Sequence, residues 1–147
     1  MRIPRNDNDL RAMFQRERLH MAAKSGDMQE VEKWLAAKHR VNRFDSLGKT
    51  PLHYAVSGGH LAVVNRLIEA GANVNANDER VIGNTPLSDN IGEMSFDMAQ
   101  RLIEAGADPT IRGWMQMSAI DSAAQRKDAD ARKILRLLKD AADKLPR

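Results

Sequence analysis

Gly48-Lys49-Thr50-Pro51-Leu52-His53-Tyr54-Ala55, continuing through Gly58-Gly59-His60 to Gly71-Ala72-Asn73-Val74-Asn75-Ala76, decides the fold of this chain. Thr50 is a good N-cap, because its hydroxyl can accept one of the orphan amides at a helix start. Pro51 follows at the first helical position, where a missing N–H costs nothing. Leu52, Ala55 and Val56 make a short apolar stripe that Gly58-Gly59 ends. A second stripe at Leu61, Val63, Val64, Leu67 and Ile68 is stopped by Gly71. Two helices this short do not stand alone in water, so the pair needs copies of itself on either side.

The copies are present. A shift of 33 residues takes Leu52-His53-Tyr54-Ala55 back to Leu19-His20-Met21-Ala22, and Val74-Asn75 back to Val41-Asn42. Going forward, Thr50-Pro51-Leu52 returns as Thr85-Pro86-Leu87 after 35 residues, so the Asp78–Gly83 turn carries two inserted residues. Leu67-Ile68-Glu69-Ala70-Gly71-Ala72-Asn73 returns as Leu102-Ile103-Glu104-Ala105-Gly106-Ala107-Asp108, and Ser118-Ala119-Ile120 opens a fourth unit.

A period of this length with Thr-Pro-Leu-His resembles the ankyrin repeat, over roughly residues 17 to 140. The match is strongest in the second unit and good in the third. The resemblance implies an all-α fold, an ankyrin-repeat solenoid of four helix-turn-helix units with an extra N-terminal capping helix. The expected division is one domain, 1–147, with the cap at 5–16 and repeats at 17–44, 45–77, 78–110 and 111–144. The cap would lay Leu10, Met13 and Phe14 over the first repeat, since end repeats need covering. The final helix, about 130–144, would turn Ile134, Leu135, Leu138 and Ala142 inward. In the third unit Asn90 falls where a small apolar residue normally packs. Either it bonds to the inserted turn or the first helix there is distorted.

Composition narrows the function. Apolar residues are 42% and charged residues 29%, ordinary for a globular chain, with aromatics at only 4%. There is no cysteine, hence no thiol nucleophile, disulfide framework or Cys-based zinc site. The amino terminus lacks an apolar signal core and no stretch approaches membrane-spanning length. A cytoplasmic monomer without a membrane partner or a second domain is expected. The formal charge of +3 comes from dispersed Arg and Lys, so nucleic acid is not expected as the partner.

Catalytic and metal readings find little support. His20 and His53 occupy the repeat's own histidine position, where the resemblance implies that imidazole bridges the backbone of neighbouring repeats. His60 occupies the inter-helix loop, and no His/Cys cluster suits a metal. Leu47-Gly48-Lys49-Thr50 looks like the tail of a phosphate-binding loop, but Arg43 stands where that motif needs glycine and Pro51 removes a backbone donor. Asp45, Asp78 and Asp108 sit where short polar side chains satisfy turn backbone. No cofactor and no enzymatic activity are expected.

What remains are positions the repeat does not need. The resemblance implies that turn tips and first-helix faces form a concave surface that binds protein. Mapped onto this chain, the candidates are Leu47, Lys49 and Tyr54; Arg80, Val81, Ile82, Asp89 and Glu93; and Trp114, Met115, Met117 and Arg126. Turn tips are usually polar, so the apolar row Leu47, Val81, Ile82, Trp114, Met115 and Met117 marks an interface. Alternatively, Val81, Ile82 and Trp114 pack on one another and close the third-to-fourth turn. The functional expectation is a non-catalytic protein-binding module, acting as a stoichiometric inhibitor or adaptor. Its segments also resemble small bacterial ankyrin proteins that neutralise a cognate toxin.

Overall fold

The computed structural model describes residues 5–81 and 83–146, without the side chain of Met13. Nine α-helices and no strand occur among the described residues: α1 Asp7–Arg16, α2 Arg18–Ser25, α3 Met28–Ala36, α4 Pro51–Ser57, α5 Leu61–Glu69, α6 Pro86–Asn90, α7 Phe96–Glu104, α8 Ala119–Ala123 and α9 Ala131–Asp143. From α2 onward they form antiparallel pairs stacked side by side. The short helices α2, α4, α6 and α8 line up in one layer, and the longer α3, α5, α7 and α9 form the other. One continuous core runs between the layers through Leu19, Leu52, Leu67, Leu87, Leu102, Ile134 and Leu138, each almost fully buried.

Three of the short helices, α4, α6 and α8, begin at matching caps. Thr85 Oγ1 accepts from Ser88 N–H at 3.1 Å, and Ser118 Oγ from Asp121 N–H at 3.3 Å. The third residue of each helix answers, Ser88 Oγ accepting from Thr85 N–H and Asp121 Oδ2 from Ser118 N–H. In α4 the third residue is His53, whose Nδ1 accepts from Thr50 N–H at 3.0 Å and lies 2.9 Å from the Thr50 hydroxyl. Thr50 therefore donates its hydroxyl to the imidazole, and its side chain also faces the His53 backbone amide in a capping box, as its sequence position suggested.

Side chains tie each pair to the next. His53 Nε2 bonds Asn84 O at 2.7 Å, and His20 Nε2 reaches Arg43 O and Lys49 O at 2.7 and 3.1 Å. Asn42 donates to Gly71 O and accepts from Asn73 N–H; Asn75 repeats the pattern one unit on, with Gly106 O and Asp108 N–H. His60 Nε2 bonds Lys24 O at 3.0 Å across the inter-helix loops.

Two departures from the sequence reading stand out. The apolar side of α1 is not laid down as a lid: Leu10 and Phe14 remain 38% and 49% exposed. Met13, expected on that side, has its side chain outside the described residues. In the third unit α6 is five residues long against seven in α4, and Asn90 is its last residue. Its Nδ2 is buried with no hydrogen-bond partner among the described residues.

Candidate functional site

The tips precede the short helices and share one edge of the stack. In the second tip Asp45 N–H donates to Lys49 O at 2.8 Å, and the Asp45 carboxylate accepts from Leu47 and Lys49 amides. Gly48 takes the left-handed conformation here, φ 73°. Its missing Cβ also leaves room for a Val81 methyl from the next tip. Leu47, 62% exposed, projects from this turn.

The third tip is longer by its two inserted residues. Asp78 O accepts from both Val81 and Gly83 amides. Arg80 forks onto the Asp78 carboxylate at 2.9 Å through both Nε and Nη2, which holds that carboxyl below the usual range. The guanidinium itself stays open to solvent. Val81 is half-exposed, one methyl resting at Gly48. Ile82, the other apolar residue expected here, lies outside the described residues.

The fourth tip is the least ordinary. Met115 and Gln116 both have positive φ, 57° and 59°, with Met117 N–H closing the turn onto Trp114 O at 3.2 Å. Side chains with a Cβ adopt this conformation at a cost, and such strain gathers where a side chain must be aimed. Asn84 Oδ1 accepts from Trp114 N–H, a bond possible because Gly113 has no Cβ to meet that oxygen. Trp114 and Met115 stand 64% and 65% exposed, while Met117 is half-buried. An indole so exposed is not packed as a plug closing its own turn.

Behind the tips the short-helix face is polar and cross-linked. Tyr54 donates to the Asp45 carboxylate, and burial together with this bond pushes its phenol pKa up. Lys49 Nζ lies 5.8 Å from the Tyr54 ring centroid and 3.3 Å from Asp89 Oδ2. Lys49, Tyr54 and Asp89 thus form one connected group beside the tips.

Glu93 and Arg126 lie elsewhere. Both α6 and α8 are five residues long, so these positions fall in the inter-helix turns at the far end of the short helices. Arg126 was expected to face a partner, but its side chain is 7% exposed and engaged internally. Nη1 donates to Ile91 O and Met94 O at 2.9 and 2.7 Å, and the charge is paired with Asp128. The signal for this clamp is faint in sequence: an arginine in the loop where the second unit carries Gly58. Asn84, a tip position whose sequence gives no sign of this role, positions Trp114.

A protein-family model described as ankyrin repeats in three copies matches residues 3–78 and 19–113. The chain belongs to the ankyrin-repeat family. Ankyrin arrays are protein–protein interaction modules. The chain is 39% identical over 66 residues to a probable E3 ubiquitin-protein ligase, XBOS32, of Oryza sativa subsp. japonica, covering 44% of this chain and 13% of that protein. It is 47% identical over 49 residues to acyl-CoA-binding domain-containing protein 4 of the same plant, covering 33% and 15%. It is 46% identical over 57 residues to alpha-latrotoxin-Lh1a of Latrodectus hasselti, covering 39% and 4%. The chain therefore spans a small part of the length of these relatives, and the likeness is one of ankyrin repeats. No helix among the described residues is long and apolar enough to cross a membrane, and no metal-binding group of His, Asp or Glu occurs among them.

Proposed function

We propose that this ankyrin array is a non-catalytic module that binds one protein partner through its tips and short-helix face, acting as a cytoplasmic monomer by stoichiometric occupation of the partner's surface. The observation that carries this reading is the row of exposed apolar side chains at successive tips, Leu47, Val81, Trp114 and Met115. Single exposed apolar residues are commonplace, but a row held at fixed spacing beside charged groups is what partner surfaces use. Lys49–Asp89 and Arg80–Asp78 supply paired charges around that row, suited to choosing a partner and speeding encounter. The narrower form of the proposal is an inhibitor or immunity protein whose partner is a toxin or effector.

A photo-crosslinking residue placed at position 115, compared with one on the outer surface of α5, tests the reading. Crosslinking to one protein in a one-to-one complex from position 115 alone is expected, with Trp114→Ala abolishing it. Equal labelling from both positions overturns it. An adaptor role is the second reading, favoured by the relatives named as ubiquitin ligases, in which the matched repeats are a small part of a longer chain. A purified partner that loses its activity at one equivalent is inhibited; one that keeps it is merely held.

A further inference from the structure

The outer layer ends on α9, whose charges break the pattern of that layer. Arg66, Arg101 and Arg136 follow one another at intervals of 35 residues, each on the outer helix of its unit. Arg66 pairs with Glu32 on the helix before it, and Arg101 donates to Asn65 Oδ1 at 2.6 Å. Arg136 has no such partner among the described residues. With Arg132, Lys133 and Lys139 it makes a run of exposed cations over 132–139 that contains no acid. Every ion pair among the described residues lies elsewhere, the nearest in the chain being Arg126–Asp128. α9 packs on α7 and α8, burying Ile134 and Leu138, and the cations are left facing outward.

The order of charge along α9 works against the helix itself. Arg132 and Lys133 stand in the first turn, at the positive end of the macrodipole, and Asp140 and Asp143 in the last, at the negative end. Only the caps, Asp130 and Lys144, follow the dipole, and Asp130 makes no side-chain bond to the helix amides. Arg132 and Arg136 are four residues apart and Arg136 and Lys139 three, the spacings at which like charges repel. These placements cost the array stability, and no group among the described residues answers them. We infer that this face of α9 binds an acidic helix of a partner protein, with carboxylates against Arg132, Arg136 and Lys139 and cations against Asp140 and Asp143. The three cations form one line about 10 Å long, and carboxylates spaced four and three apart on a helix alongside match it. Such a partner, acidic at its start and basic at its end, has the order its own macrodipole favours. Asp140 and Asp143, exposed on the same side, tell against a uniform polyanion, since a nucleic-acid backbone or an anionic bilayer meets them as repulsion. The surface belongs to the outer layer and does not depend on the reading of the tips.

The test uses the full chain and the peptide acetyl-Ala-Glu-Ala-Ala-Ala-Glu-Ala-Ala-Glu-Lys-Ala-Ala-Lys-amide, followed by amide shifts in NMR at low salt. The control is the same peptide with Glu and Lys exchanged. Saturable shifts confined to α9 with the first peptide alone are expected, fading as salt is raised. Arg136→Ala should weaken that binding about threefold to fivefold, the scale of one exposed ion pair. Arg136→Glu, which sets an acid among Arg132, Lys133 and Lys139, should abolish the response and raise the melting temperature. An equal response to the exchanged peptide overturns the inference, as does the lack of any saturable response in the native chain. Tighter binding at the same residues of a single-stranded thymidine dodecamer, or of phosphatidylserine vesicles, puts nucleic acid or lipid in the place of the protein helix and overturns it too. A lowered melting temperature in Arg136→Glu shows that these cations serve the fold, with the same consequence.

Discussion

The side-chain oxygen of Asn84 lies 3.0 Å from the backbone nitrogen of Trp114 and accepts its hydrogen bond. The same residue's backbone carbonyl accepts from His53 Nε2. One residue of the third unit thereby fixes the second unit below it and aims the tip above it. At the matching place in the second tip, Asp45 satisfies the turn amides with its own carboxylate. Gly113 has no side chain to do so, and Asn84 substitutes from outside.

Removing this bond should loosen the fourth tip without unfolding the array. Asn84→Ala is expected to cost about 1 kcal/mol, the net worth of one hydrogen bond, measured by urea unfolding. Gly113→Ala drives a Cβ into Asn84 Oδ1 and should cost at least as much. An unchanged unfolding midpoint in both variants would show that Trp114 is not held this way.

Trp114→Ala separates surface from core. Its indole is mostly in solvent, so the melting temperature should hardly move. Partner affinity should fall about tenfold or more, as for a truncated aromatic anchor. Calorimetry on one preparation reads both. Leu67→Ala is the converse: fully buried in the core, it should cost about 2–5 kcal/mol of stability.

Arg126→Met tests the clamp at the last junction. Two charge-assisted hydrogen bonds to Ile91 O and Met94 O are lost and those buried carbonyls are stranded. About 2–3 kcal/mol of destabilisation is expected. Hydrogen exchange should show α8 and α9 opening first, while partner affinity under folded conditions is retained. A variant as stable as the native chain, with reduced affinity, would restore Arg126 to the binding surface.

Acid should weaken the array through His53. Burial lowers its pKa from the ordinary 6.5, outweighing the opposing bond to Asn84. Nδ1 must stay unprotonated to accept from Thr50 N–H. The unfolded chain then binds more protons between the two pKa values, so stability rises with pH across that window. The contribution is fully present above about pH 6.5 and is lost as pH falls through the folded value. Melting scans from pH 7.5 to 5 should show this fall, and His53→Ala, less stable throughout, should show a shallower one.

The stacked architecture was legible because it is written locally and repeated. Thr50-Pro51-Leu52 and Gly71 mark a helix pair within one window, and their copies show that neighbours supply the missing contacts. Leu19, Val31, Leu52, Leu67 and Ile134 obey one periodicity and are buried together. The exposed tip residues Leu47, Val81, Trp114 and Met115 were also readable, as apolar side chains where turns are polar. Asn84, Gly113 and Arg126 were not. Their roles rest on contacts spanning some thirty residues, Asn84 with Trp114 and Arg126 with Ile91 and Met94, and each looks like an ordinary loop residue in its own window. Leu10 and Phe14 of α1 show the limit of the same reasoning: their spacing predicted the helix, but the lid over the first repeat expected of it leaves both side chains exposed.

Asn42 and Asn75 act as rungs along the border where each pair closes, joining Gly71 to Asn73 and Gly106 to Asp108 at nearly constant spacing. The opposite border is tied by His60 to Lys24 O and by Arg126 to Ile91 O and Met94 O, and only between the second and third pairs do its loops share no hydrogen bond among the described residues. A strip riveted along one border and open at one point of the other bends most easily at that point. Thermal flexing of this array is therefore steered to the middle junction, where opening that border changes the curvature that a visiting molecule meets.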